Sequence, residues 1–114
     1  MASGSGATYM ANWDKRLEGM RNSPQGDWTI ADVEALCRSL DVGYSRPNKS
    51  SHAKVFDASQ TEILTVPFNR PIKAIYIKKL VKFVDAVLKE REAALQREMR
   101  ALEERAKARR GKDR

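Results

Sequence analysis

The spacing of apolar residues predicts two helices in the first forty residues of the chain. The first spans about residues 11–21 and is limited by the turn-forming run 22–26. The second spans about residues 30–40 and follows Thr29, a suitable N-cap with an acidic residue, Asp32, three positions on. The apolar residues that fall on the core-facing sides of these helices are Trp13, Leu17, Met20, Ile30, Val33, Leu36, Cys37 and Leu40.

The middle of the chain carries three short runs that predict β-strands. Residues 42–46 form one short strand that leads into a basic loop. Residues 52–56 and 61–66 are β-branched and aromatic, and the four residues 57–60 between them fit a hairpin connection. Pro67 is expected to end the last strand, because proline has no backbone donor for the ladder.

A long helix is predicted from about Pro71 onward. Residues 89–114 carry ten basic and six acidic residues, so this helix is expected to continue as a solvent-exposed rod with a narrow apolar seam that is too short to predict a coiled coil. Gly111 offers a natural stop. The predicted core stripe consists of Ile72, Ile75, Leu80, Val81, Val84, Val87 and Leu88, and the seam of Leu88, Leu95, Met99, Leu102 and Ala106.

Length and composition limit the chain to one small domain with polar extensions. It has 114 residues, of which 41% are hydrophobic and 32% charged, which excludes a multidomain enzyme. We predict a disordered leader over residues 1–10, of the kind that cloning adds, and a short helix with its linker over 11–26. Residues 27–88 then form the core domain, and residues 89–114 form a basic helical extension.

Charge and the rarest residues narrow the chemistry. A net charge of +7 favours polyanionic partners such as RNA, DNA, an acidic protein or an anionic surface. One cysteine, Cys37, and one histidine, His52, leave no internal disulfide and no zinc cluster, so we expect no metal and no cofactor. No run approaches the roughly 20 apolar residues of a membrane helix, so we expect a cytoplasmic protein without a membrane partner.

The order of several local motifs resembles the HicA toxin family. An amphipathic helix is followed by Ser50-Ser51-His52 at the start of a strand, by a strand ending in Thr65-Val66-Pro67, and by a helix opening with Pro-Ile-Lys-x-x-Tyr-Ile-Lys over 71–78. The family usually has glycine where this chain has Ser50. The resemblance covers residues 28–88 and implies an α-β-β-β-α fold like a double-stranded-RNA-binding domain. It also implies a messenger-RNA-cleaving toxin that a HicB-like antitoxin neutralises, with His52 as the catalytic residue.

Imidazole chemistry is compatible with that role. RNA supplies its own nucleophile, the 2′-OH, so cleavage needs a group that moves protons near neutral pH and cations that offset phosphate charge. The second proton-transfer partner is left open among Tyr44, Ser51, a lysine, or none. The residues expected to bind RNA around His52 are Arg46, Lys49, Ser51, Lys54 and Lys73.

Less specific interpretations remain beside each of these assignments. His52 is equally typical of an ordinary surface histidine in a basic loop, and the lysines are typical of a solvated surface. Phe56 shares a strand face with His52 and Lys54 by alternation, although Phe56 and Trp28 are both expected to pack in the core. The alternative function is a non-catalytic RNA-binding or protein-interaction module on the same fold, with an oligomeric state that the sequence does not fix.

Overall fold

The protein is described here from a computed structural model, which describes residues 13–47 and 50–112. The predicted leader over residues 1–10 and the candidate RNA-binding residue Lys49 lie outside these residues. The elements, in chain order, are α1 (13–22), α2 (Ile30–Ser39), β1 (Gly43–Ser45), β2 (His52–Phe56), β3 (Leu64–Pro67) and α3 (Ala74–Lys112).

The fold is α+β, with helices against one face of a three-stranded antiparallel sheet. The strand order is β1-β2-β3, with Tyr44 opposite Val55 and Val55 opposite Leu64. Val55 and Val66 lie in one core cluster with buried residues of all three helices. The predicted order of helices and strands is therefore confirmed, and none of the described helices covers the opposite face of the sheet.

The ends of α2 are fixed by hydrogen bonds that match its sequence. Thr29 and Asp32 form a capping box, in which the hydroxyl of Thr29 accepts from the amide of Asp32 and the carboxylate accepts from the amide of Thr29 at 2.9 Å. At the other end Asp41 adopts a left-handed conformation with φ 55°, and the amide of Val42 donates to the carbonyl of Cys37 at 2.8 Å. This pattern ends the helix and turns the chain into β1.

Helix α1 packs onto the core, as its apolar positions predict. Leu17 and Met20 are buried, and Arg21 makes a two-pronged ion pair with Asp85 of α3 at 2.7 and 2.9 Å. A Cβ atom on Gly19 would lie 2.9 Å from the ring of Trp28, so glycine permits close contact between α1 and that ring. The short N-terminal helix is thus part of the packed unit.

The hairpin between β2 and β3 differs from its prediction in length. The connection runs over 57–63, since β3 begins at Leu64 and not at position 61. The carboxylate of Asp57 accepts hydrogen bonds from the amide and hydroxyl of Ser59, which hold a turn, and the next residues continue without pairing. Pro67 is the last residue of β3, an edge strand of the described sheet, where a missing donor costs little.

Helix α3 differs from its prediction at both ends and in which of its residues are buried. It begins at Ala74, so buried Ile72 precedes the helix, and it continues through Gly111 to Lys112. Ile75 is 55% exposed, although we predicted it in the core stripe. A helix turns about 100° per residue, so a position five residues before Leu80 points well away from the core. Two residues that the stripe omitted, Ile77 and Phe83, are buried in the cluster.

Candidate functional site

Strand β2 presents two unlike faces. Ala53 and Val55 are fully buried, whereas His52, Lys54 and Phe56 are exposed on the other side of the strand. This alternation confirms that the three exposed residues share one face. We call His52, Lys54 and Phe56, with their neighbours Ser45 and Thr65, the open sheet face.

The register places Lys54 at the centre of this face. Its backbone lies opposite Ser45 of β1 on one side and Thr65 of β3 on the other, while His52 lies opposite Pro67. No hydrogen bond or ion pair among the described residues engages the side-chain ammonium of Lys54. The open sheet face therefore combines one imidazole, one cation and small polar neighbours on a rigid ladder.

The imidazole of His52 is oriented by the preceding residue. The hydroxyl of Ser51 lies 3.2 Å from Nδ1, within hydrogen-bond distance. If Nδ1 donates to the hydroxyl, Nε2 of the neutral ring carries a lone pair and can act as a base; if the hydroxyl donates to Nδ1, Nε2 carries the ring proton and is a hydrogen-bond donor. In both tautomers Nε2 is the nitrogen that an incoming group can reach, because the side chain is exposed.

Ser50 shapes the entry into β2 without needing the backbone freedom of glycine. Its hydroxyl accepts a hydrogen bond from the amide of His52 at 3.1 Å, and its own amide donates to the carbonyl of Pro47 at 2.9 Å. Among the described residues, Asp41 alone has a positive φ outside glycine. The serine at this position is therefore compatible with the turn.

Arg46 ties this loop to the segment after β3. Its Nε donates to the carbonyl of Ser50 at 2.9 Å, and its guanidinium lies 4.0 Å from the centre of the Phe68 ring. The amide of Phe68 donates to the carbonyl of Ser51 at 2.8 Å. These contacts brace the residues just before His52, so Arg46, although exposed, acts first as a structural support.

Sequence reasoning missed Phe68 and Arg70 as neighbours of this region. A cavity of about 410 Å³ lies beside Arg46 and is lined by these two residues together with the start of α2 at Thr29. The signal available was the position of Phe68 directly after Pro67, since the end of β3 must come back beside the start of β2 in a hairpin.

Lys73 and Lys49 are not placed beside His52 by any described contact. The carbonyl of Lys73 accepts from the amides of Tyr76 and Ile77 at 3.0 and 3.3 Å, so this lysine stands at the start of α3 in the helical layer. Lys49 lies outside the described residues. Of the predicted RNA-binding residues, Arg46, Ser51 and Lys54 are the ones that lie on or adjoin the open sheet face.

Phe56 is exposed and not in the core, contrary to the expectation for this residue. Its side chain is 42% exposed, and its ring lies across β1 above Gly43. A Cβ atom on Gly43 would clash with the ring, so the ring position depends on glycine there. The aromatic ring is thereby held against the sheet, two positions from Lys54.

Tyr44 lies on the opposite side of the sheet from His52. It pairs with buried Val55, packs against the core cluster, and burial raises the pKa of its phenol above the usual value. Since residues opposite each other share a face, Tyr44 is removed as a proton-transfer partner. Ser51 and Lys54 remain as candidates.

Cys37 is a packing residue, as predicted. Its thiol is fully buried in α2, and this burial raises its pKa to about 12, which leaves it protonated near neutral pH. Trp28 also packs against the core, and its indole N–H donates to the carbonyl of Ser23 at 2.7 Å.

The described residues hold neither a metal-binding cluster nor a membrane-spanning helix. Over 13–47 and 50–112, no cluster of three or more histidine, cysteine, aspartate or glutamate residues has the arrangement of a metal site. In the same ranges, none of the helices combines the length and apolar character that crossing a membrane requires.

Comparison with known proteins finds no relative of this chain: no family model, no curated protein and no solved structure matches it.

Proposed function

We propose that this chain is a metal-independent RNA endonuclease of the HicA toxin type, with a fold like a double-stranded-RNA-binding domain. The observation that carries the proposal is the presentation of His52 at the start of β2, where its side chain is exposed and Nδ1 lies beside the hydroxyl of Ser51. The α-β-β-β-α order of the core elements agrees with the resemblance, with α1 and the end of α3 as additions. The substrate is messenger RNA.

The proposed reaction uses the 2′-OH of the RNA as the attacking group. His52 Nε2 accepts the 2′-OH proton, the 2′ oxygen bonds to phosphorus, and the bond from phosphorus to the 5′ oxygen breaks. A proton delivered to that oxygen completes a 5′-OH end, and the other product carries a 2′,3′-cyclic phosphate. Either the protonated imidazole or Lys54, which shares its strand face, supplies that proton.

Cations beside the histidine support the proposal electrostatically. Lys54 shares the open sheet face with His52, and Arg46 braces the loop that leads into it. Positive charge near the phosphate stabilises the extra negative charge that develops in the transition state. Ser51 orients the imidazole, and Lys49 and Lys73 add positive charge for RNA binding.

The same exposed face is suited to inhibition by a protein. We propose that a larger acidic antitoxin of the HicB type covers His52 and neutralises Lys54, and that toxin and antitoxin act in the cytoplasm. Phe56, 42% exposed on the same strand face as Lys54, gives such a partner an apolar contact beside a cation.

Cleavage of a messenger RNA by the purified chain in the presence of chelator tests the catalytic assignment. We expect wild type to cleave, and His52→Ala to lose at least about a hundredfold of the rate, which is typical when a general acid or base is removed. Thr65→Ala, on the same face and without a titratable group, is the matched control and should retain most activity. The wild-type products should end in 2′,3′-cyclic phosphate.

Binding measurements separate affinity from catalysis. His52→Ala should bind RNA nearly as tightly as wild type, since affinity resides mainly in contacts between cations and phosphates. Lys54→Ala should weaken RNA binding and reduce the slope of log affinity against log salt concentration by about one, as the loss of one phosphate contact requires. Lys89→Ala, on the rod, is the control and should change neither quantity. Undiminished cleavage by His52→Ala, or cleavage lost with chelator, contradicts the proposed mechanism.

The exposed aromatic ring favours the alternative of a non-catalytic binding module. Phe56 lies over Gly43 and beside Lys54, an arrangement in which a base can stack while the ammonium contacts phosphate. RNA binding without cleavage, lost in Phe56→Ala and retained in His52→Ala, would establish this second function in place of the first.

A further inference from the structure

The distal part of α3 carries an apolar stripe that no described residue covers. Beyond Leu88 the helix side chains are largely exposed, and Leu95, Met99 and Leu102 are 52%, 55% and 55% exposed. Large apolar side chains clustered on one stripe of a rod are typical of a helix that pairs with another. This stripe is the predicted seam of Leu88, Leu95, Met99, Leu102 and Ala106, extended at the same spacing by the charged residues Glu92 and Arg109; Leu88, at its start, also packs against the core.

The seam has coiled-coil spacing. Its members are separated by alternating steps of three and four residues, so all of them lie within about 100° of the helix circumference. Leu88, Leu95 and Leu102 occupy one position of the seven-residue repeat, and Met99 and Ala106 occupy the other. The continuous helix from Ala74 to Lys112 provides the rigid rod that such pairing needs, which the sequence pattern alone did not establish.

We propose that two copies of this chain associate through their seams as an antiparallel pair of helices. In this arrangement Met99 of one copy packs against Leu102 of the other, and Leu95 packs against Ala106. The centre of the pair lies between residues 100 and 101. This association of the chain with itself does not depend on the proposed ribonuclease activity.

The charged members of the seam select a second copy in this orientation. Antiparallel pairing with Met99 opposite Leu102 also brings Glu92 of one copy opposite Arg109 of the other, twice by symmetry. In an antiparallel pair, a residue that flanks the seam lies beside a residue of the same heptad position in the other copy. Glu98 of one copy therefore lies beside Arg105 of the other, again twice. Opposite charges at these places favour the pair.

Parallel pairing would be opposed by the same residues. In register, Glu92 would face its own copy and so would Arg109, because each seam residue meets its equivalent. The flanking contacts would join Glu98 to Glu103, and Arg105 to Arg110, all of like charge. Antiparallel pairing brings like charges together only at the ends of the overlap, as with Lys89 and Arg110.

The length of the rod also fits the antiparallel arrangement. The exposed segment 89–112 is about 36 Å long, and antiparallel pairing about its midpoint uses all of it. The seam continues the side of α3 that faces the core, so a partner helix lies in line with the core. Position 112 of the partner then lies opposite position 89, where α3 leaves the core. The end of the described helix in each copy therefore lies next to the core of the other copy.

Sedimentation equilibrium of the full chain tests the association. The measured mass should rise with concentration from that of one chain toward that of two. Leu102→Asp, which alters an exposed residue, should keep the mass of one chain with unchanged thermal unfolding of the core, whereas Ala101→Asp, one position off the seam, should still associate. A single-chain mass up to millimolar concentration, or association by Leu102→Asp as strong as by wild type, overturns the proposal.

Charge exchange tests the orientation. Glu98→Arg or Arg105→Glu alone should weaken antiparallel association roughly tenfold, because two symmetry-related attractions become repulsions, and the double variant should restore it. In a parallel pair each single change would instead place opposite charges at positions 98 and 103, or at positions 105 and 110, and would tighten association. Tightening in either single variant therefore overturns the antiparallel assignment.

A distance measurement gives an independent answer. A spin label on Gly111→Cys in the wild-type background should report, between the two copies, an axial separation of about 30 Å, since position 111 lies opposite position 90. Cys37 is fully buried and stays unlabelled in the folded protein. A separation of about 10 Å, the distance between the axes of two packed helices, would mean parallel helices and would contradict the proposal.

Discussion

The two halves of α3 are one continuous helix, yet different forces hold them. From Ala74 to Leu88 the helix buries Leu80, Val84 and Val87 completely in the core. From position 89 onward the side chains are largely exposed, and the helix depends on good helix formers and on ion pairs such as Arg97 with Glu90 at 3.8 Å. Packing against the core stabilises the first half, whereas local helix propensity stabilises the second.

The largest effect should come from matched leucine truncations in the two halves. Leu80→Ala removes a fully buried side chain and should lower the free energy of unfolding by about 2–5 kcal/mol, since it leaves a cavity. Leu95→Ala, at a concentration where the chain is monomeric, should change it by less than about 0.5 kcal/mol. Urea denaturation followed by circular dichroism measures both, and equal losses would mean that the rod is packed like the core.

A smaller effect should come from Arg91, the residue at which the two halves meet. Its guanidinium donates to the carbonyls of Leu40 and Asp41 and to the carboxylate of Asp57, joining α3 to the end of α2 and to the β2–β3 turn. Arg91→Met should lower the free energy of unfolding by about 1–3 kcal/mol, because these acceptors lose a charged donor.

The matched control for Arg91 lies on the rod. Arg97→Met removes a side chain that is 67% exposed and contacts Glu90 alone among the described residues, so a change below about 0.5 kcal/mol is expected. Denaturant midpoints of the two variants, measured together, compare a tertiary contact with a surface pair. A loss in Arg97→Met as large as in Arg91→Met would remove the distinction.

The smallest effect should be a pH dependence at Asp57. Burial pushes the pKa of Asp57 upward, but hydrogen bonds from Ser59 and the charge of Arg91 outweigh it and hold the pKa below its usual value. A lowered pKa means that this group stabilises the fold above its unfolded pKa of ~3.9, and that the contribution is lost as the pH falls through the folded pKa.

Unfolding at pH 7 and pH 3 measures this contribution. The stability difference between wild type and Asp57→Asn should shrink toward zero at the lower pH, because the protonated acid and the amide then resemble each other. The effect should be smaller than that of Arg91→Met, since the carbonyls of Leu40 and Asp41 still accept from Arg91 in acid. A difference that grows on acidification would contradict the assigned direction.

Much of the fold could be predicted because local pattern and tertiary structure agree there. Thr29 and Asp32 marked the start of α2, and alternation in β2 placed His52 and Lys54 on one face. Ile75 and Phe56 were misplaced because apolar character was taken as a sign of burial; for Phe56, alternation along β2 already indicated the exposed face. Contact with Gly43, remote in sequence, holds the Phe56 ring on the open side.

The candidate site was predictable in its residue types but not in its assembly. Imidazole and basic neighbours around position 52 can be recognised from the chain alone. Arg46 and Phe68 support the site through a contact between the segments that follow β1 and β3. Strand register excludes Tyr44 as a proton-transfer partner of His52. Register joins residues that are far apart along the chain, so no local window contains it.

Three periodicities can be read directly from the chain: apolar residues at helical spacing, alternation in β2, and a seam along the last helix. These are local because each depends on the geometry of one element. The tertiary structure decided which side of each element is covered. Burial is a property of neighbours, and those neighbours, Arg91 on the end of α2 or the ring of Phe56 over β1, are brought together only when the chain folds.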